Sequence, residues 1–138
     1  MDYKLELVLI PVSDVDRAKK FYLEEAGFAL DVDTPIGEGM RIVQVTPPGS
    51  ACSIGFGTGI TSATPGAAQG LHLVVSDIVG ARAELAGRGV PVSEVRHLES
   101  GTWVDGPHPG RNDYESFANF SDPDGNAWMV QEVGHHRA

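Results

Sequence analysis

The sequence repeats itself, and this internal repeat limits the possible folds more than any other feature. Val12-Ser13-Asp14 recurs 63 residues later as Val75-Ser76-Asp77, and each Asp is followed four residues later by an alanine. A second similarity, at an offset of 76, aligns Gly125–Met129 with Gly49–Ser53. Similarities at two places in each half indicate two copies of one supersecondary unit.

The first copy combines one helix with several short strands. Ser13 or Asp14 is a suitable N-cap, apolar residues recur at helical spacing after it, and Gly27 is a suitable C-cap, so a helix is predicted to end near Ala26. The turn Pro47-Pro48-Gly49-Ser50 predicts a hairpin between the last two strands. The predicted strands are Leu5–Val12, Phe28–Val32, Arg41–Thr46 and Ala51–Gly57.

The second copy follows a connector rich in Gly, Thr, Ser, Pro and Ala. A helix is predicted over Ile78–Ala86, a strand over Val90–His97, and a last strand after the turn at Gly125. We therefore expect an α+β fold in which two βαβββ modules form a cupped mixed sheet. The predicted organisation is a single domain over residues 1–138, with module one at 1–57, a linker at 58–69 and module two at 70–133.

Composition excludes several function classes. Nineteen acidic against ten basic residues give a net charge of −9, which repels nucleic acids and anionic membranes. No apolar run approaches the roughly 20 residues that span a bilayer, and Cys52 has no cysteine partner in the chain. Residues 1–6 lack the pattern of a secretory signal. We expect a cytoplasmic protein that binds neither nucleic acid nor membrane.

Two segments carry a family resemblance. Val12–Tyr22 and Phe120–Asn126 resemble the hallmark segments of the vicinal oxygen chelate superfamily, which includes glyoxalase I, extradiol dioxygenases and bleomycin-resistance proteins. The resemblance extends over nearly the whole chain. It implies two βαβββ modules, a site on the concave face of the cupped sheet, and a homodimer.

The resemblance also implies where metal ligands would stand, and this sequence departs from the pattern there. A His usually lies seven residues before the Asp of each strand-to-helix turn, and those positions hold Leu7 and Gly70. A Glu usually lies four residues after the Gly of the Asp-Pro-Asp-Gly turn, where Met129 stands, and the repeat carries that position onto Ser53. These residues supply almost none of the ligands that divalent metals prefer. We expect no metal and no other cofactor.

Polar residues next to the lost ligand positions remain candidates for ligand contact. Side chains two residues apart on a strand share a face, which adds Leu9, His72 and Gln131 to the predicted cleft lining. His72 could act as an acid, a base or a hydrogen-bond donor, and Gln131 could orient a ligand. Both could instead be structural hydrogen bonders. Leu7, Leu9, Ser53 and Met129 complete the predicted lining of these strands.

The segment Leu98–Tyr114 is long for a connection and carries aromatic residues. Loops of this length commonly act as lids, so Trp103 and Tyr114 are predicted to close over a ligand, with His108 or Arg111 adding a polar contact. The alternative is a solvated surface loop.

Two functions are compatible with these residues. The first is metal-independent binding of a bulky small molecule, neutral or cationic, in an apolar cleft, as in the bleomycin-resistance branch, and the acidic composition favours it. The alternative is an enzyme of the same superfamily: a metal-free lyase, isomerase or cyclase that uses His72 with a lid aromatic, or a glyoxalase-like enzyme with a displaced metal site.

Overall fold

The first half of the chain forms a four-stranded open sheet with a helix packed against one face. The computed structural model describes residues 1–137. The sheet order is β1-β4-β3-β2, with β1 parallel to β4 and the remaining pairs antiparallel. The predicted hairpin around Pro47–Ser50 is confirmed by the β3–β4 pairing. The elements are β1 (Leu7–Leu9), α1 (Val15–Lys20), β2 (Ala29–Gly37), β3 (Met40–Thr46) and β4 (Ser53–Thr58).

The second half repeats this plan with one additional strand. Its sheet is also open, in the order β5-β9-β8-β6-β7, with β5 parallel to β9 and the other pairs antiparallel. The α+β class and the repeated unit predicted from the sequence are confirmed. The elements are β5 (Leu71–Val75), α2 (Ile78–Gly87), β6 (Arg96–Glu99), β7 (Thr102–Asp105), β8 (Phe117–Ser121), β9 (Ala127–Glu132) and a 3₁₀ turn (His135–Arg137).

Both helices begin as the repeat predicts. The Asp14 carboxylate accepts from the backbone N–H of Arg17 at 3.0 Å, and the Asp77 carboxylate accepts from that of Gly80 at 3.2 Å. Each bond satisfies one of the free N–H groups of a first helical turn. α1 continues as a π-helical turn over Phe21–Glu25, and the chain then leaves the helix at Gly27 with a left-handed φ of 82°.

Strand β6 begins later than predicted. Residues 90–95 contain no strand, because Pro91 has no amide hydrogen and the Arg82 guanidinium of α2 donates to the carbonyl oxygen of Ser93 at 3.1 Å. The predicted connection Leu98–Tyr114 in turn contains part of β6 and all of β7. Ser100 and Gly101 both have positive φ, which suits a two-residue hairpin turn.

By their contacts, the residues fall into two compact units. The first comprises Met1–Ala68 together with Asp122–Asn126, and the second comprises Gln69–Ser121 together with the residues from Ala127 onward. Each unit buries one face of its sheet against its own helix. The first core includes Tyr22, Val43, Val45 and Phe56, and the second includes Ile78, Ala118, Phe120, Trp128 and Val130.

The segment Asp122–Asn126 belongs to the first unit through buried hydrogen bonds. Asp122 Oδ1 accepts from the backbone N–H groups of Asp124 and Asn126, while its Oδ2 accepts from the Tyr22 hydroxyl and the Asn126 amide, both at 2.8 Å. Asp124 accepts from Ser13 and from Arg17. The two segments that carry the family resemblance therefore bind each other, which gives both a structural role.

No helix in the described part of the chain is long and apolar enough to cross a membrane.

Candidate functional site

The second sheet has one buried face and one exposed face, and the exposed face carries polar and aromatic side chains together. Along β9, Trp128, Val130 and Glu132 are buried, whereas the alternate residues Met129 and Gln131 are half-buried. This alternation is typical of a sheet that packs on only one side. The exposed side is the candidate functional site.

Strand register defines which residues share this side. His72 lies opposite Met129 and Val74 opposite Gln131 in the β5–β9 pair, and β8 and β6 continue the row. Directly paired residues point to the same side of a sheet. We call this side the open face, and its residues are His72, Val74, Met129, Gln131, Phe117, Asn119, Arg96, Asp105, Leu98 and Trp103.

His72 and Gln131 form a hydrogen-bonded pair on the open face. His72 Nδ1 lies 3.1 Å from Gln131 Oε1, so Nδ1 carries the proton and donates to the amide oxygen. This arrangement leaves Nε2 of a neutral imidazole as a free acceptor. His72 is exposed, and its ring can therefore contact a bound molecule.

An aromatic group lies on the same face beside this pair. Trp103 is 47% exposed, and its ring meets the Phe117 ring at a centroid distance of 5.5 Å in an edge-to-face arrangement. The Arg96 guanidinium carbon is 5.3 Å from the Trp103 centroid. Partly exposed rings of this kind provide apolar contact area for a flat ligand.

Tyr114 stands at the edge of the open face. It lines a cavity of about 220 Å³ together with Leu98, His108, Glu115 and Phe117. Its backbone has a φ of 65°, an unfavourable value for a bulky residue, and its N–H donates to the carbonyl oxygen of Glu132 at 2.8 Å. The loop thus holds Tyr114 in one backbone conformation.

His108 is used structurally in this loop. Its Nδ1 accepts from the Gly110 N–H at 3.0 Å, and its Nε2 lies 3.1 Å from a Glu115 carboxylate oxygen. Because both ring nitrogens have partners, His108 has no free nitrogen for proton transfer.

A buried ion pair anchors the same loop. Glu132 is fully buried and accepts from the Arg111 guanidinium at 2.6 and 2.7 Å and from the Ile78 N–H, at the start of α2, at 2.9 Å. Burial opposes the charge, but the hydrogen bonds from Arg111 and Ile78 outweigh burial and hold the pKa of Glu132 below its ordinary value. Arg111 therefore has a structural role in this ion pair, whereas the sequence analysis proposed it as a possible polar contact to a ligand.

The remaining predicted lining residues lie on β1 and β4 of the first sheet. Leu7 pairs with Ser53 and Leu9 with Gly55 in the β1–β4 pair. The Ser53 hydroxyl lies 2.6 Å from the Thr46 hydroxyl, which in turn donates to Asp31. A carboxylate reached through a second hydroxyl is a poor base for serine, so Ser53 is a hydrogen-bonding residue here.

The residues at the family's metal-ligand positions do not fit a metal ion. They are an aliphatic side chain, a hydroxyl already bonded to Thr46, a glycine and a thioether. Divalent metals are held by imidazole, carboxylate or thiolate groups, usually three or four of them. Within residues 1–137, no group of three or more His, Cys, Asp or Glu side chains is arranged to hold a metal.

The structure brings together part of the predicted set. His72, Met129, Gln131 and Trp103 share the open face and Tyr114 flanks it, whereas Leu7, Leu9 and Ser53 lie in the first unit. Sequence reasoning missed the other open-face residues, which are Val74, Arg96, Leu98, Asp105, Phe117 and Asn119. The alternation that precedes the Asp122 turn could have identified Phe117 and Asn119 as residues on one face of a strand.

Comparison with known proteins identifies a family. A model of the Glyoxalase/Bleomycin resistance protein/Dioxygenase superfamily matches residues 4–130. A comparison with curated protein sequences gave no significant match.

Similar solved structures cover almost all of the chain. TnmS3, an antibiotic binding protein from Streptomyces sp. CB03234, is 34% identical, with 95% of this chain and 96% of that chain covered and a TM-score of 0.73. A glyoxalase/bleomycin resistance protein from the same organism is 35% identical, with 93% and 99% covered and a TM-score of 0.70. A superfamily member from Sphaerobacter thermophilus is 28% identical, with 96% and 98% covered and a TM-score of 0.74.

Proposed function

Because the chain belongs to the glyoxalase/bleomycin resistance protein/dioxygenase superfamily, we propose that it is a binding protein that holds a small organic molecule on the open face. Binding needs neither a metal nor another cofactor in this proposal. The similarity to an antibiotic binding protein at 34% identity supports an antibiotic or a compound of comparable size as the ligand.

The composition of the open face carries this proposal. Trp103, Phe117 and Met129 offer apolar area, whose burial supplies the non-directional part of the affinity. His72 and Gln131 add polar groups that can fix the ligand's orientation. Apolar surfaces with a few polar groups are typical of small-molecule sites.

The proposal includes a homodimer located in the cytoplasm. Leu9, Val74 and Leu98 are exposed by 41%, 61% and 47%, and exposed apolar side chains on sheet faces favour burial against a second copy. The cytoplasmic location stays a prediction from the sequence.

A second candidate is catalysis by His72, which the free Nε2 favours. A neutral imidazole held through Nδ1 can accept a proton at Nε2 from a bound substrate. Recovery of the bound compound, followed by mass spectrometry, separates the two functions. An unchanged compound recovered at one equivalent per site supports binding, whereas a product formed over several turnovers supports an enzyme.

Tryptophan fluorescence tests the binding site directly. Of the two tryptophans, Trp103 is 47% exposed and Trp128 is 4% exposed, so a ligand on the open face should change the emission of Trp103. The experiment titrates a panel of antibiotics into the wild type and into Trp103→Phe, with calorimetry in parallel. We expect Trp103→Phe to keep most of the binding heat and to lose the fluorescence change. An unaltered fluorescence change in this variant would contradict a site on the open face.

A further inference from the structure

Arg96 differs from five other arginines of the described chain, because no carboxylate lies within ion-pair distance of it. Among the described residues it takes part in no ion pair, and Asp105, directly opposite it on β7, does not contact it within ion-pair distance. The arginines with a carboxylate partner are Arg17, Arg41, Arg82, Arg111 and Arg137.

The Arg96 guanidinium also has unused hydrogen-bond donors. Its Nη2 donates to Asn119 Oδ1 at 3.2 Å, and its Nε is buried without an acceptor. A guanidinium carries five N–H donors, and this is the one side-chain hydrogen bond that Arg96 makes within the described chain. Buried polar groups nearly always have partners, so the unpaired Nε is an exception. The unused Nη donors lie on the exposed sheet face, where an acceptor on a bound molecule can reach them.

From this geometry we propose that Arg96 selects ligands in which a flat aromatic ring carries an anionic oxygen, such as a carboxylate or a phenolate. The ring packs on Trp103 and Phe117, and the oxygen accepts from the Nη groups of Arg96. This inference rests on the proposed function, because it names the ligand class of the same open face.

The overall acidity of the chain does not oppose this selection. The net charge of −9 acts mainly over distance, and salt screens such fields beyond about 8 Å at physiological ionic strength. At contact distance Arg96 has no ion pair, although Asp105 shares its face, and a charge-assisted hydrogen bond to an anionic oxygen is about twice as strong as a neutral one. The sequence had favoured a cationic ligand, and Arg96 reverses that preference at the site itself.

Three probes that share one ring system and differ in the charge of its substituent test the selection. They are 2-naphthoate, 2-naphthamide and 2-(aminomethyl)naphthalene, which are an anion, a neutral amide and a cation on the same ring system. We expect calorimetry to show that the wild type binds the anion at least about tenfold more tightly than the other two, the change expected from one charged hydrogen bond.

Variants then assign the preference to Arg96. Arg96→Gln should remove it, and Arg96→Lys should reduce it, because lysine keeps the charge but lacks the planar fork of donors. The matched control is Arg137→Gln, which removes the same charge from an arginine on the C-terminal turn, away from the open face, and should leave the preference intact. Circular dichroism checks that each variant is folded.

The outcomes separate this inference from the proposed function. If the wild type binds all three probes equally, or if Arg96→Gln keeps the anion preference, the role of Arg96 is wrong while binding on the open face stands. If none of the probes binds at millimolar concentration while an antibiotic of the panel binds on the open face, the Arg96 selection is wrong and the proposed function stands; if the antibiotics do not bind either, both fail. If Arg96→Gln does not fold, the wild-type probe series and Arg96→Lys decide the matter.

Discussion

The buried carboxylate of Asp122 stabilises the first unit, because each of its oxygens accepts two hydrogen bonds. Asp122 is 5% exposed, and its two oxygens accept four hydrogen bonds, two from backbone N–H groups and two from side chains. Asn126 extends this network by donating to the carbonyl oxygen of Pro11. Removing one of these donors leaves the buried Asp122 carboxylate with an unsatisfied acceptor in a low-dielectric environment, which lowers the free energy of unfolding.

Tyr22→Phe tests this network by removing a single oxygen atom. The variant keeps the buried ring but removes the hydroxyl that donates to Asp122 at 2.8 Å, so we expect a loss of about 1–2 kcal/mol in the free energy of unfolding. Urea unfolding measures the change. Tyr3→Phe is the control, because Tyr3 is 91% exposed and should lose nothing measurable. Equal stability of the two variants would show that the bond to Asp122 contributes little.

His72→Phe addresses ligand orientation at the residue scale. The substitution retains a ring on the open face but removes Nε2 and the bond to Gln131, which leaves the amide without its partner. We expect the affinity for a ligand with polar substituents to fall by about 1–3 kcal/mol, as measured by calorimetry. His136→Phe, which alters an exposed histidine of the C-terminal turn, serves as the control. Unchanged affinity in His72→Phe would make His72 a structural residue.

At the scale of single elements, the β6–β7 hairpin contains a buried histidine whose two ring nitrogens both have partners. His97 is buried at the start of the hairpin, with Nε2 at 2.9 Å from a Glu99 carboxylate oxygen and Nδ1 at 2.7 Å from the Gly106 carbonyl oxygen. Both contacts need a proton on the nitrogen, so Glu99 and then Gly106 raise the pKa of His97 above its ordinary value. The centroid of the His108 ring lies 5.9 Å from that of the His97 ring.

This raised pKa sets the sign of a pH dependence. The protonated form stabilises the folded hairpin, so its contribution is complete below the ordinary histidine pKa of about 6.5 and is lost as the pH rises through the raised value. We expect the wild type to lose more stability between about pH 6 and pH 9 than Glu99→Gln, in which the carboxylate is absent. Urea midpoints at both pH values provide the measurement. Parallel behaviour of the two proteins would refute the role of this pair.

For the whole molecule, metal content is the first property to measure. Leu7, Ser53, Gly70 and Met129 occupy the positions that hold ligands in the family's metal enzymes, and none of them offers an imidazole or a carboxylate. We expect less than stoichiometric zinc, iron, nickel or manganese after purification without chelator. Elemental analysis of a His135→Ala, His136→Ala double variant excludes adventitious metal on the C-terminal turn. One metal per chain in that variant would overturn the expectation.

Oligomeric state is the second whole-molecule property. The exposed apolar residues of both sheets favour pairing of two chains, so light scattering at micromolar concentration should give twice the chain mass of 14.7 kDa. Leu98→Lys, a substitution on the open face, should weaken pairing if that face is buried in the dimer. Val79→Lys is the control, because Val79 is exposed to the same extent but lies on α2. A wild-type mass of one chain would contradict the dimer.

The sequence by itself determined the repeated architecture. The helix caps at Asp14 and Asp77, the hairpin turn after Thr46 and the Asp122–Asn126 turn are local signals, because each satisfies backbone groups within a few residues. Strand alternation then placed His72, Met129 and Gln131 on one face. These features depend on short-range geometry, which residue order specifies directly.

Only the tertiary structure decided which groups are committed to the fold and which remain free. The sequence alone does not distinguish the roles of Arg111 and Arg96. In the structure, the Arg111 guanidinium donates to the buried Glu132 carboxylate, whereas the Arg96 guanidinium donates to the Asn119 amide and has no carboxylate partner. The hairpin β6–β7 likewise placed Trp103 beside Phe117, 14 residues further along the chain. Such pairings depend on strand register and on distances between remote segments, which no local pattern encodes.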